Sequence, residues 1–167
     1  MIDVFGNNRV GIKLSPVNDY NGMKDSDPIA LTEHMITKLN EKNVAFVELS
    51  EGFSLDARDA KLRKEFFDSK EHKSFREMFK RKFKNTYITN HGFTQESGNE
   101  AIQKGHADLV SFGQLYVANE DLAQKFRHSE PVNKMQYADG KQLMGYLYGD
   151  LGATGYTDTS VYKPKAK

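Results

Sequence analysis

Apolar and polar positions repeat with two different periods along this chain, and the switches between them mark its elements. The sharpest case is residues 86–122. Thr86 to Asn90 is a β-rich run that meets a turn at His91-Gly92. Gln95 to Lys104 then has helical spacing and stops at Gly105, and Ala107 to Phe112 is an apolar strand that stops at Gly113. Thr94 and Asn119 suit helix N-caps, where a side-chain oxygen accepts an otherwise unpaired backbone N–H. Gly105 suits the left-handed residue that closes a helix. The pattern predicts one strand-helix-strand unit with a second helix after it.

The same reading extends upstream. Arg9 to Pro16 alternates Val10, Ile12 and Leu14 with Gly11, Lys13 and Ser15, a strand that Pro16 ends because it has no N–H for a ladder. Lys13 then points away from the apolar side, as a solvated edge lysine or as a site residue. Met1 to Gly6 is too short to form an element alone. Asp27-Pro28 supplies a cap and a first-turn proline to a helix whose face is Ile29, Met35, Ile36 and Leu39. Val44 to Ser50 is near-continuously apolar, as expected of a parallel strand covered by helices. Glu48 interrupts it, a strand-end carboxylate that either serves a site or simply reaches water. In Gly52 to Asn85, Leu62 with Phe66, then Phe75, Met78, Phe79 and Phe83, have helical spacing and predict one or two amphipathic helices. Strands beginning near residues 10, 44, 86 and 107 with helices between them predict an α/β fold of four parallel strands with right-handed crossovers. Residues 1–167 are expected to form one domain, in which 129–167, rich in glycine and tyrosine, wraps over the sheet.

Composition changes this picture mainly by exclusion. Lysine plus arginine at 24 against aspartate plus glutamate at 23 leaves a net charge of +1, so no global field draws the chain to nucleic acid or membrane. The basic run Lys80, Arg81, Lys82 and Lys84 lies opposite the phenylalanines and lacks interleaved aromatic platforms, so a solvated helix face is expected there. No apolar run approaches the roughly 20 residues of a membrane helix, and the N-terminus lacks the regions of a signal peptide, so a cytoplasmic protein is expected. The absence of cysteine excludes disulfides and thiolate metal ligands. His72, His91, His106 and His128 show no metal-ligand spacing, and no metal is expected. One constellation remains. Two strand ends lie side by side, each followed by a glycine turn whose backbone N–H groups face whatever sits above the sheet. An anion, phosphate first, is the expected occupant.

At RVGIKLSP, ADLVSFGQLYVANEDL and GYTD the chain resembles the Old Yellow Enzyme family of FMN-dependent ene-reductases, with a pattern similar to the plant oxophytodienoate reductases. The resemblance covers nearly the whole chain, but only the C-terminal half of that family's (β/α)8 barrel, strands five to eight and the tail. It implies an FMN whose phosphate lies in the loops after strands seven and eight, the common phosphate site of such barrels. His91, Gly92 and Phe93 would face the phosphate from one loop, and Gly113 and Gln114 from the other.

The resemblance implies further site residues, and departures. Lys13 stands where the family has an arginine against the flavin pyrimidine edge, keeping the charge without the fork. Tyr148, in YLYGD, matches a tail tyrosine near the flavin, and Gly155 to Asp158 matches the closing GYTD. His91 stands where glycine is usual, and Glu48 stands close to a family histidine. Gln114 stands where arginine is usual, a loss worth about 1.5–3 kcal/mol of charged hydrogen bonding. The family's substrate-anchoring histidine, proton-donating tyrosine and flavin-ring ligands belong to the N-terminal half, and no motif here replaces them. Two expectations follow from different classes. One is an oxidoreductase unit in which NAD(P)H reduces FMN and the flavin reduces an activated alkene or enone. The other is a catalytically inactive half-barrel that binds a phosphorylated ligand or a partner chain. A homodimer, or a separate N-terminal half-barrel, is expected to cover the sheet edges.

Overall fold

Strand by strand, the expected alternation is realised. A computed structural model describes residues 1–18, 23, 25–51, 77–134, 145, 152–154 and 157. The chain divides into two units, Met1–Ser111 and Phe112–Lys167. The first contains α1 (Ile2–Phe5), a 3-10 turn (Asn7–Arg9), β1 (Gly11–Leu14), α2 (Pro28–Lys42), β2 (Phe46–Ser50), β3 (Thr86–Asn90), α4 (Gln95–Gln103) and β4 (Leu109–Ser111). Residues 77–82 are helical and are called α3. All neighbouring strands are parallel, in the order β1-β2-β3-β4.

Each boundary has a local cause. Asp27 caps α2 by accepting the Ala30 N–H at 2.9 Å, with Pro28 in the first turn. At its other end Asn43 takes the left-handed conformation. Asparagines then stitch this end to the α3–β3 connection. Asn40 Nδ2 donates to the Lys82 carbonyl at 2.8 Å, and Asn85 Nδ2 donates to the Val44 carbonyl at 2.7 Å and to Asn43 Oδ1 at 2.9 Å. Thr94 and Ser97 form a reciprocal capping box on α4. Beyond α4, Gly105 has φ 68°, and the His106 N–H returns to the Ala101 carbonyl, the six-to-one bond of a glycine-terminated helix.

Several expected bounds are corrected in this unit: β2 begins at Phe46 and not Val44, and β4 spans Leu109–Ser111 and not Ala107 to Phe112. Met1 to Gly6 is not without structure, because the Met1 carbonyl accepts the N–H groups of Val4 and Phe5 and closes one helical turn. The first strand is shorter than Arg9 to Pro16, because Arg9 belongs to the 3-10 turn.

One face of the sheet holds the core. Val47, Leu49 and Tyr87 are fully buried and pack with Ile36, Val44, Met78, Phe79, Phe83 and Ala107. The Phe79 and Tyr87 rings are 4.6 Å apart, and Phe79 and Phe83 are 5.7 Å apart. Part of the basic run is neutralised. Lys80 pairs with Asp108 at 2.6 Å and Lys82 with Glu33 at 2.5 Å. Asp108 also accepts the Tyr87 N–H, so the pair ties α3 to the start of β3.

The second unit is described by its helices α5 (Gln114–Ala118) and α6 (Leu122–His128). Asn119 is not a helix N-cap, as the sequence suggests, but the residue that ends α5. Its amide exchanges two bonds with the backbone of Asn133, at 2.9 and 2.8 Å, and donates to the Leu115 carbonyl at 2.8 Å. A buried amide needs several partners, and Asn119 finds them in its own unit. Phe112 and Phe126 meet edge to face at 5.2 Å. Leu62, Phe66, Phe75, Tyr148 and most of the 129–167 tail lie outside the described residues. No described helix is long and apolar enough to cross a membrane.

Candidate functional site

Period-two alternation puts Gly11 and Lys13 of β1, Phe46, Glu48 and Ser50 of β2, Ile88 and Asn90 of β3, and Leu109 and Ser111 of β4 on the face opposite the core. The Phe46 ring lies over Gly11, where any Cβ would collide with it. Phe46 is 38% exposed and Leu109 53% exposed, whereas on the core face Val47, Leu49 and Tyr87 are fully buried and only Ile12, on the edge strand β1, is as exposed as Phe46.

Toward the C-terminal ends of the strands the face becomes polar. Lys13 and Glu48 are register partners, and Lys13 Nζ lies 2.9 Å from Glu48 Oε1. The Ser111 hydroxyl donates to the same oxygen at 2.7 Å and accepts from Asn90 Nδ2 at 2.8 Å. Asn90 also donates to the Ser111 carbonyl at 3.0 Å. Four side chains from four strands thus form one ladder. Partial burial works against ionisation of Glu48, but the bonds from Lys13 and Ser111 and the nearby ammonium outweigh it, so the carboxyl lies below its ordinary value.

A second carboxylate sits where β2 ends. Glu51 is fully buried and accepts bonds from the hydroxyls of Tyr87 and Thr89, the latter at 2.7 Å. Its own N–H donates to the Asn90 carbonyl at 3.1 Å. Tyr87 and Thr89 belong to the core-facing side of β3, so through these bonds the carboxylate braces the neighbouring strand on the face opposite the polar ladder.

The turn after β3 has an unusual backbone. His91 has φ 122° and Gly92 has φ 65°, a region that favours glycine and strains residues with a Cβ. Phe93 is buried and Thr94 begins the capped helix α4. Among the described residues, and apart from its chain neighbours, no atom lies within 4 Å of where a Cβ on Gly92 would stand. In the second unit Gly113 is the N-terminal flanking residue of α5, where the same holds, and Gln114 is its first residue.

The predicted site residues therefore fall into separate groups. Lys13 joins Glu48, Asn90 and Ser111 in the ladder. His91, Gly92 and Phe93 form the β3 turn, Gly113 and Gln114 open a helix of the second unit, and Tyr148 lies outside the described residues. Sequence reasoning missed Asn90, Ser111 and Glu51. Asn90 and Ser111 each sit two residues from an apolar neighbour on the same strand face, a weak signal that only the strand register makes specific. Among the described residues there is no cluster of three or more histidine, aspartate or glutamate side chains that could hold a metal ion.

Comparison with known proteins identifies the family. Residues 2–133 match the model of the NADH:flavin oxidoreductase / NADH oxidase family. A putative 12-oxophytodienoate reductase 5 of Oryza sativa subsp. japonica is 37% identical over 95% of this chain, and 12-oxophytodienoate reductase 2 of Arabidopsis thaliana is 34% identical over 92%. Among solved structures, the old yellow enzyme from Trypanosoma cruzi superimposes with a TM-score of 0.75 over 97% of this chain at 26% identity. Morphinone reductase in complex with tetrahydroNAD does so with a TM-score of 0.70 over 97% at 26%. The chain spans 38% and 37% of the two reductases' lengths and 37% of each of the two structures, as a partial barrel would. Its four parallel strands, the helices between them and the match over residues 2–133 make this chain a member of the NADH:flavin oxidoreductase / NADH oxidase family, the Old Yellow Enzyme oxidoreductases.

Proposed function

We propose that this chain is the FMN-holding part of an NAD(P)H-dependent ene-reductase that acts on activated alkenes or enones. The observation that carries the reading is the β3 turn. Two consecutive residues with positive φ, a Gly92 Cβ position uncrowded among the described residues and a capped helix immediately afterwards make a backbone surface that an anion can approach closely. On this reading the β3 turn, His91, Gly92 and Phe93, offers backbone N–H groups to the phosphate, and Gly113 and Gln114 are assigned to it on the family resemblance alone. Lys13 serves the flavin ring, and Tyr148 is assigned beside it on the family resemblance alone. What supports the fit is that, chain neighbours aside, no described residue crowds the Cβ position of Gly92.

When bound, FMN supplies the electron transfer between the nicotinamide and the alkene. The chain's own residues bind and orient. Its ladder of Lys13, Glu48, Asn90 and Ser111 holds a cation and a carboxylate in fixed places on the open face. Gln114, where a guanidinium would be usual, favours a second reading, an inactive half-barrel that binds a different phosphorylated ligand or a partner chain.

Titration of the purified chain and of Gln114→Arg with FMN tests the proposal. Arginine at 114 restores a bidentate cation beside intact backbone donors, and FMN binding is expected to tighten about tenfold or more. Equal or weaker binding in the variant would sink the assignment of phosphate to this position. Failure of FMN to bind or thermally stabilise either protein would favour the second reading.

A further inference from the structure

The charge on the open face of the sheet is set by a pair and not by a lone cation. Lys13 and Glu48 are register partners at 2.9 Å. Asn90 donates to the Ser111 hydroxyl, which leaves that hydroxyl's own proton for Glu48 at 2.7 Å. This chain of donors ends on the carboxylate and fixes it, and the carboxylate in turn fixes the ammonium. Glu48 has a side chain only 19% exposed, whereas that of Lys13 is 57% exposed. The carboxylate is thus the anchored member and the lysine the member held by it.

We propose that Glu48 is a positioning residue that cancels the charge of Lys13 and so makes this face neutral toward the redox state of a bound flavin. The inference rests on the flavin reading and names what regulates that site. Reduction of a flavin places negative charge at N1 and the neighbouring carbonyl. A lone ammonium beside that edge favours the reduced form, and a lone carboxylate disfavours it. With both present, held at contact distance by a third and a fourth residue, the two fields nearly cancel at the ligand. The face therefore stabilises the reduced flavin less than an unpaired cation would.

The test is the ratio of two affinities, measured on the full chain by titration with oxidised FMN in air and with dithionite-reduced FMN under argon. Glu48→Gln keeps an oxygen for the Ser111 hydroxyl but removes the negative charge, and it is expected to shift the ratio about tenfold toward the reduced form. For a two-electron couple that is about 30 mV in potential. Lys13→Met leaves the carboxylate alone and is expected to shift the ratio the other way. The double variant is expected to return close to the original ratio, because it again carries no net charge. Opposite signs separate charge cancellation from a merely structural role, which would move both single variants in the same direction. FMN binding with an unchanged ratio in Glu48→Gln, or same-signed shifts, would overturn this inference and leave the flavin reading intact. If Glu48→Gln does not fold, an unchanged ratio in Lys13→Met overturns it equally. No binding of either form to the original chain would overturn both.

Discussion

The two faces of one small sheet are built from alternate residues of the same strands, yet they obey different rules. On the covered face, Val47, Leu49 and Tyr87 are excluded from water and locked against α2 and α3 side chains, and even the carboxylate there, Glu51, is buried with hydroxyl partners. On the other, Phe46 and Leu109 stay exposed and the polar residues gather toward the strand ends. The covered face is where burial stabilises the fold. The open face is where charged and polar side chains gather, and truncation of its apolar residues is expected to cost less.

Leu49→Ala breaks this contrast most forcefully. It removes a fully buried side chain from the core and is expected to cost about 2–5 kcal/mol by urea denaturation. The same truncation at Leu109, on the open face, is expected to stay within about 0.5 kcal/mol. Similar losses at both positions would mean that the open face is covered after all.

A smaller effect of opposite sign is expected at the β3 turn. His91→Gly relieves a side chain held at φ 122°, and strain at such positions is of order 1–3 kcal/mol. Glycine also gives the unfolded chain more freedom, so the net gain is expected to be about 1 kcal/mol. A lower denaturation midpoint in the variant would show that the His91 side chain contributes more than its backbone costs.

The smallest effect is electrostatic. Glu48 is held below its ordinary pKa of 4.5, so its ion pair stabilises the fold above that value and the contribution is lost as pH falls through the lower, folded value. The lysine is largely solvated, which limits the contribution to about 0–1 kcal/mol. Denaturation midpoints at pH 7 and pH 3 should therefore fall slightly less in Glu48→Gln than in the original chain. An equal fall in both would remove Glu48 from the acid response.

Legibility in the sequence followed the same division. β3 was readable to the residue because its alternation, its glycine turn and the Thr94 cap all agree. The parallel arrangement of the strands was readable from the helical stretches between them, and the Asp27-Pro28 helix start from its capping chemistry. Asn119 misled, because an asparagine between two helices suits a cap, and only the fold shows that its amide is taken by Asn133. The polar ladder was hardest to read. Ser111 lies 63 residues from Glu48, and short polar side chains at strand ends look alike until register places them opposite a charge. The Lys13 alternation revealed its face but not its partner.

The central claim is that this chain holds FMN by its phosphate, and the most direct test compares FMN with riboflavin, which differs only in lacking that group. Titration of the purified chain with each, followed by flavin fluorescence, gives two dissociation constants under one set of conditions. Charge-assisted bonds from backbone N–H groups to a phosphate are worth about 1.5–3 kcal/mol, so FMN is expected to bind about ten- to a hundredfold more tightly. Equal affinity for the two flavins would contradict the phosphate site.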